Sequence, residues 1–184
     1  RLNFTFEFSN GTVDPLYDNS EFSKWLLSAK LRYMPGNRLN IIASYSHSKS
    51  ETHLNGGVDL SGYSGYSQDV VDEYLYNELN ADVLYTNRYL KNSRHNYKIK
   101  LLGNFIQSAP TDLTFYHQKN LIEYRQNEYA SIGAIPVIVN NNEYNVSGLS
   151  LSQKYNHSIF RLEANADYEH VEYNSDILKE NPER

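Results

Sequence analysis

The sequence predicts an all-β fold: an antiparallel, up-and-down transmembrane β-barrel with long strands, present as a segment of a larger barrel. Three observations predict it. Apolar and polar residues alternate with a period of two over most of the chain, the mark of strands with two chemically different faces. Most alternating runs exceed the roughly ten residues that a tilted strand needs to cross a bilayer, whereas strands of soluble proteins average about 5–6. Short and long connections also alternate along the chain, as in barrels with tight turns at one end and long external loops at the other.

The elements follow in order. Leu2, Phe4, Phe6 and Phe8 interleave with Asn3, Thr5, Glu7 and Ser9, which predicts a strand over 2–9. Trp25, Leu27, Ala29, Leu31 and Tyr33 interleave with Lys24, Leu26, Ser28, Lys30 and Arg32, giving 22–34. Pro35-Gly36-Asn37 is a turn: Pro fixes φ, while Gly and Asn tolerate positive φ. Leu39, Ile41, Ala43 and Tyr45 then carry a strand over 39–50. A polar stretch at about 51–73, with Gly56-Gly57 and a Tyr/Gly/Ser patch at 61–67, reads as a loop. Strands are predicted over 74–88 and 95–107, joined by a turn near Lys91-Asn92-Ser93-Arg94. The stretch 108–142 is punctuated by Pro110 and Pro136, and its charges fall on both faces, so it reads as a second long loop. A last hairpin pairs 143–154 with 158–173 across a turn at Tyr155-Asn156-His157. No segment predicts a helix.

Seven strands are odd for a bacterial single-chain barrel, which has an even number. An open sheet in lipid would also leave two unpaired edges. The expectation is that residues 1–184 are one β-barrel segment of a larger wall, with long external loops at about 51–73 and 108–142. Neither an initiator Met nor a signal peptide is visible, and residue 1 is Arg.

Composition narrows the class. The absence of cysteine excludes disulfide scaffolds and thiolate-held metal or haem within the chain. A net charge of −5 and a pI near 5.7 argue against nucleic acid as a partner. No 18-residue apolar run exists to form a membrane helix. Mean hydropathy is low, at −0.66, yet the chain holds 17 Tyr and 7 Phe. Tyrosine suits surfaces that meet both an apolar phase and water.

The two faces name the candidate functional residues. The polar face carries Lys24, Lys30, Arg32, Lys98 and Lys100, with Glu78, Asp82, Arg161, Glu163 and Asp167 as further charges. These are the predicted lumen-lining residues, because rings of charge tune what passes a pore or docks inside it. The bland reading is that they only solvate the wall and pair across strands. The apolar stripes end in aromatics: Tyr33, Tyr85, Tyr97 and Phe160 near short turns, and Trp25, Tyr45, Phe105 and Tyr168 near long loops. Two such bands read as membrane-interface girdles.

Catalytic and metal patterns are missing. The six histidines show no H-E-x-x-H or similar spacing. The acidic cluster Asp69, Asp72 and Glu73 lacks the EF-hand pattern, and no G-x-S-x-G elbow occurs. The chain is therefore expected to be no enzyme, with no metal site and no cofactor of its own.

The hairpin Leu31–Ser46, with its Tyr33-Met34-Pro35 turn and return strand ending in an aromatic, resembles those of large Gram-negative outer-membrane barrels. In style it is most similar to the barrel component of porin–cytochrome electron conduits, with TonB-dependent receptor barrels as the nearest competitor. The resemblance implies the bacterial outer membrane as location and outer-membrane lipid as surroundings. For the conduit subfamily it implies a multihaem cytochrome inside the barrel, so that any haem sits on that partner. The function expected is a pore or sheath for solute passage or for an inserted electron-transfer protein. The alternative from another class is a soluble secreted β-sandwich binding carbohydrate or protein through Tyr-rich loops.

Overall fold

The computed structural model describes residues 1–13, 15, 17–76, 81–106, 109–126 and 137–180. Seven strands form one sheet: β1 (Leu2–Val13), β2 (Phe22–Tyr33), β3 (Leu39–His53), β4 (Arg88–Ile106), β5 (Ala109–Gln126), β6 (Val137–Asn156) and β7 (Arg161–Glu180). Every neighbour in the sheet is a neighbour in sequence, and every pair is antiparallel. A sandwich needs a second sheet packed on the first; among the described residues all seven named strands lie in one.

The register lines the alternation up across the whole sheet. Phe4, Leu31, Ala43, Ile99, Phe115, Leu149 and Tyr168 form one continuous cross-strand row. Leu2, Tyr33, Ile41, Leu101, Leu113, Leu151 and Ala166 form the next row on the same face. Two adjacent rows thus hold fourteen apolar or aromatic residues and no polar one. On the opposite face the row between them reads Asn3, Arg32, Ile42, Lys100, Thr114, Ser150, Asp167, and the row beyond Phe4 reads Thr5, Lys30, Ser44, Lys98, Tyr116, Gly148, Glu169.

No described large side chain is fully buried, and the apolar row stays accessible: Leu31 is 41% exposed, Ile99 48% and Phe115 46%, although all three lie on interior strands. An exposed apolar face of this size marks a surface that meets an apolar partner, either protein or membrane.

The aromatic rims give the strand tilt. Trp25 and Tyr33 bound the stripe on β2; Tyr168 and Phe160 bound it at β7. The row through Trp25 reaches β7 at Asn174, six residues from Tyr168. The row through Tyr33 reaches β7 at Ala166, again six residues from Phe160. Both rims therefore drift by six residues, about 20 Å, over five interstrand steps, about 24 Å. That ratio corresponds to a tilt of about 40°, inside the 35–45° range of membrane barrels. The rims are eight residues apart on both strands. This is about 27 Å along a strand and about 20 Å across the tilted belt between ring positions, in keeping with a hydrocarbon-facing band of about 25 Å.

Three sequence expectations are corrected. Among the described residues no strand spans 74–88: residues 74–75 close α1 (Gln68–Leu75), a helix the sequence did not predict, and 81–87 carry no named strand, with 77–80 outside the described residues. The turn expected at 91–94 lies inside β4, where Lys91, Asn92, Ser93 and Arg94 face Glu51, Ser50, Lys49 and Ser48. The loop expected at 108–142 contains the wall strand β5 and the start of β6, with 127–136 outside the described residues. Losing one expected strand and gaining another leaves the count at seven.

The two misread wall segments share one cause. β4 to β7 are 19, 18, 20 and 20 residues long, about twice what the bilayer requires. On β4 the apolar stripe occupies Tyr97–Phe105, and Arg88–Asn96 continue beyond it. In that extension neither face is continuously apolar, and the alternation lapses. With this correction the strand ends joined by short connections, Tyr33 to Leu39, Ile106 to Ala109 and Asn156 to Arg161, lie at one end of the sheet.

At the other end the connection 54–87 folds on itself. Val58 and Val83 form a β-bridge, and the Asp59 N–H donates to the Asp82 carbonyl at 2.8 Å. Tyr74 is buried and stacked on Tyr63, 3.9 Å between ring centres. Its hydroxyl accepts the Asp82 N–H at 2.6 Å. The alternating Ala81 and Val83 that mimic a strand are used by this small loop core. Asn19, at φ 53°, clamps the base of the loop: its amide donates to the carbonyls of Tyr85 (2.8 Å) and Arg88 (3.2 Å).

Candidate functional site

The polar face of the sheet is the candidate site. Lys24, Lys30 and Arg32 project from β2 and Lys98 and Lys100 from β4, all on this face, as the two-residue period requires. Arg161, Glu163 and Asp167 share it on β7. Eight of the ten predicted lumen residues therefore lie together. Asp82 does not: it sits in the 54–87 loop, where its backbone makes the contacts given above. Glu78 lies outside the described residues.

The charges on this face are segregated. β2 to β4 carry cations, to which the structure adds Arg94, in the row of Ser48 and Asn120. β7 carries Glu163, Asp167 and Glu169, with Arg161 as the single cation at its short-turn end. Two ion pairs tie neighbouring strands: Lys100 to Asp112 at 2.5 Å between β4 and β5, and Lys154 to Glu163 at 3.4 Å between β6 and β7. Both pairs are about a third exposed or more, so each contributes at most about 1 kcal/mol. Lys30 and Lys98 flank Ser44 in one row, and neither has a carboxylate partner among the described residues. Arg32 is held by its Nε donating to Asn40 Oδ1 at 3.0 Å.

Tyr116 organises the β5–β7 side. Its ring lies over its cross-strand partner Gly148, where a side chain would collide with it. Its hydroxyl donates to Glu169 at 2.7 Å on the strand beyond. One side chain thus spans three strands, with glycine leaving the space. At the short-turn end a cavity of about 850 Å³ opens on this face. Arg32, Asn40, Leu102, Asp112, Ser152 and Lys154 line it with the turn Met34–Arg38, so five strands curl around the polar side.

Sequence reasoning missed Asp112, Tyr116 and Arg94 because it placed the first two in a loop and the third in a turn. The usable signal was the Leu113-Thr114-Phe115-Tyr116 alternation, hidden by the polar residues that follow.

The girdle residues divide as follows. Trp25, Tyr45, Tyr97 and Tyr168 bound the apolar face on the long-loop side, and Tyr33, Phe105 and Phe160 on the short-turn side. Tyr97 and Phe105 therefore exchange the rims assigned from the sequence, because the turn at 91–94 does not exist. Tyr85 belongs to neither rim. It lies in the loop, with its ring under the Arg88 guanidinium at 4.1 Å and close against Gly56, whose φ is +76°.

No family model and no curated protein matches the sequence. Among solved structures, the ferric citrate transporter FecA in its unliganded form matches with a TM-score of 0.69 at 11% identity. The fold is that of a segment of an up-and-down β-barrel wall. The match covers 97% of this chain and 24% of that one, so the chain spans about a quarter of that transporter's length. At this identity the likeness is one of fold.

Proposed function

We propose that the seven strands are part of the wall of an outer-membrane β-barrel that passes a solute, with the apolar face against lipid and the charged face lining the lumen. The observation that carries this reading is the pair of adjacent seven-residue apolar rows backed by charged rows on the opposite face. The free edges of β1 and β7 support a wall continued by further strands, because lipid leaves no edge unpaired. The transporter likeness supports passage of a solute. It lends nothing to the electron-conduit subfamily or to a cytochrome partner. In this reading the chain performs no covalent chemistry and holds no cofactor; the segregated lumen charges orient and select what passes.

Trp25 is the single tryptophan and reports directly. In vesicles of lipids brominated along the acyl chain, its fluorescence is expected to be quenched most by bromines near the headgroup end. An unquenched Trp25 in a chain that stays monomeric and folded in plain buffer would overturn the proposal.

A further inference from the structure

We propose that the lipid-facing side carries a site for one phosphate-bearing membrane lipid, its acyl chain in a groove on the sheet and its phosphate against an imidazole pair at the rim. The inference rests on the lipid-facing reading above.

The groove is built by two small residues in adjacent rows of larger ones. Ala29 and Ala43 lie diagonally on β2 and β3 and form its floor; Phe4 and Ile99 wall it, and Tyr45 and Tyr97 close its upper end, 5.0 Å between ring centres. It is an open, shallow depression of about 350 Å³ with an apolar lining. A cleft with this lining inside a hydrocarbon belt takes an alkyl chain.

The polar half lies one row further on the same face. His47 and His95 are cross-strand partners, stacked with ring centres 3.8 Å apart. Trp25 packs edge-on to His47 at 4.5 Å. Each imidazole uses one nitrogen for a neighbour: His95 Nδ1 bonds the Tyr45 hydroxyl at 3.0 Å, and His47 Nε2 bonds the Ser93 hydroxyl at 3.2 Å. With Tyr45 and Ser93 donating, His95 Nε2 and His47 Nδ1 carry the hydrogens and remain available to an anionic oxygen. Two stacked imidazoles repel one another once both are protonated, and an anion between them and the membrane surface relieves that repulsion.

Lys49 follows His47 on the same face of β3, is exposed, and has no carboxylate partner among the described residues. The nearby Lys119 is neutralised by Glu143 at 2.7 Å, and Glu51 is shared by Lys91 and His53. The surplus donor and cation therefore sit directly above the groove, where a phosphate attached to an acyl chain would lie. Tyr45 belongs to both halves, since it closes the groove and orients His95.

The test uses the full chain folded in detergent, stripped of lipid, and native mass spectrometry. Dipalmitoyl phosphatidic acid, dipalmitoylglycerol and inorganic phosphate are offered separately. Phosphatidic acid is expected to be retained as one molecule per chain, at least tenfold more than dipalmitoylglycerol, with inorganic phosphate failing to displace it. Lys49→Gln with His95→Gln is expected to lower retention about tenfold; Ala43→Phe, which fills the groove, is expected to do the same with the rim intact. Equal retention of phosphatidic acid and dipalmitoylglycerol by the unmodified chain overturns the proposal without need of any variant. Retention unaffected by both substitutions overturns it as well. If Trp25 is quenched by brominated lipid while phosphatidic acid shows no preference, the site fails and the barrel reading stands.

Discussion

Leu101 and Leu102 are adjacent in sequence and lie on opposite faces of β4, which allows one chemical change to interrogate both sides. Leu101 is midway along the Tyr97–Phe105 stripe, between Ile41 and Leu113 in a row of seven apolar residues. Leu102 faces the lumen between Asn40 and Asp112. Leu101→Lys places an ammonium at mid-belt, which costs about 2–4 kcal/mol in a membrane barrel. At about 1.36 kcal/mol per decade this is roughly 30- to 900-fold in the folding equilibrium. Leu102→Lys places the same ammonium in water opposite the Asp112 carboxylate. A cross-strand pair returns about 0.2–1 kcal/mol, against a modest loss of apolar contact, so the net change is expected within about 1 kcal/mol. Reversible folding into vesicles, followed by Trp25 fluorescence over a guanidinium titration, measures both. The midpoint is expected to fall for Leu101→Lys with an unchanged slope. Equal losses for the two variants, or a larger loss for Leu102→Lys, would refute the assignment of faces.

Three further predictions follow from local geometry. Gly148→Val forces the Tyr116 ring off its seat and is expected to destabilise the fold by about 1–3 kcal/mol; adding Tyr116→Ala should recover part of it, a non-additivity that the same titration reads. Tyr74→Phe removes the acceptor of the Asp82 N–H; a net loss of about 1 kcal/mol corresponds to roughly fivefold faster hydrogen exchange at that amide, with wall-strand amides unchanged. The Ser61 N–H donates to the Asp59 carboxylate at 2.9 Å and holds its pKa below the usual aspartate value. Because the folded pKa is the lower one, this loop contact is complete above about pH 3.9 and is lost as pH falls through the folded value. The Ser61 amide resonance should titrate with a midpoint below 3.9, and Asp59→Asn should abolish the titration.

The legible part of the fold was the alternating belt. Along β2, β3 and the 97–105 half of β4, one face is apolar and the other polar, so the pattern in Trp25–Tyr33 or Lys98–Leu101 reads as strand. Where strands extend past the belt, both faces are polar and that signal vanishes. Lys91–Arg94 then look like a turn, and Gln118–Gln126 like a loop. The opposite error arose at Ala81–Tyr85, where alternating residues serve the loop core around Tyr74 rather than a wall. Eight lumen residues were placed on one face from the period alone, since parity survives an error in strand length. Asp112 and Tyr116 were not placed, because recognising them needed β5 itself. The Tyr97 and Phe105 rims were exchanged for the same reason: rim assignment depends on where turns fall, and one turn was false. His47 and His95 were not singled out because their pairing is a matter of register between β3 and β4, which a single sequence does not display.

The chain lacks cysteine, so single spin labels can be introduced one at a time from residue 89 to residue 105 on β4 in the bilayer-embedded protein. Collision with dissolved oxygen reports lipid, and collision with a water-soluble nickel chelate reports water. The account predicts oxygen maxima at 99 and 101 and nickel maxima at 98, 100 and 102, with nickel access at both parities from 89 to 95. Nickel access at 99 and 101 equal to that at 98 and 100, or protection of both parities from both reagents, would contradict it.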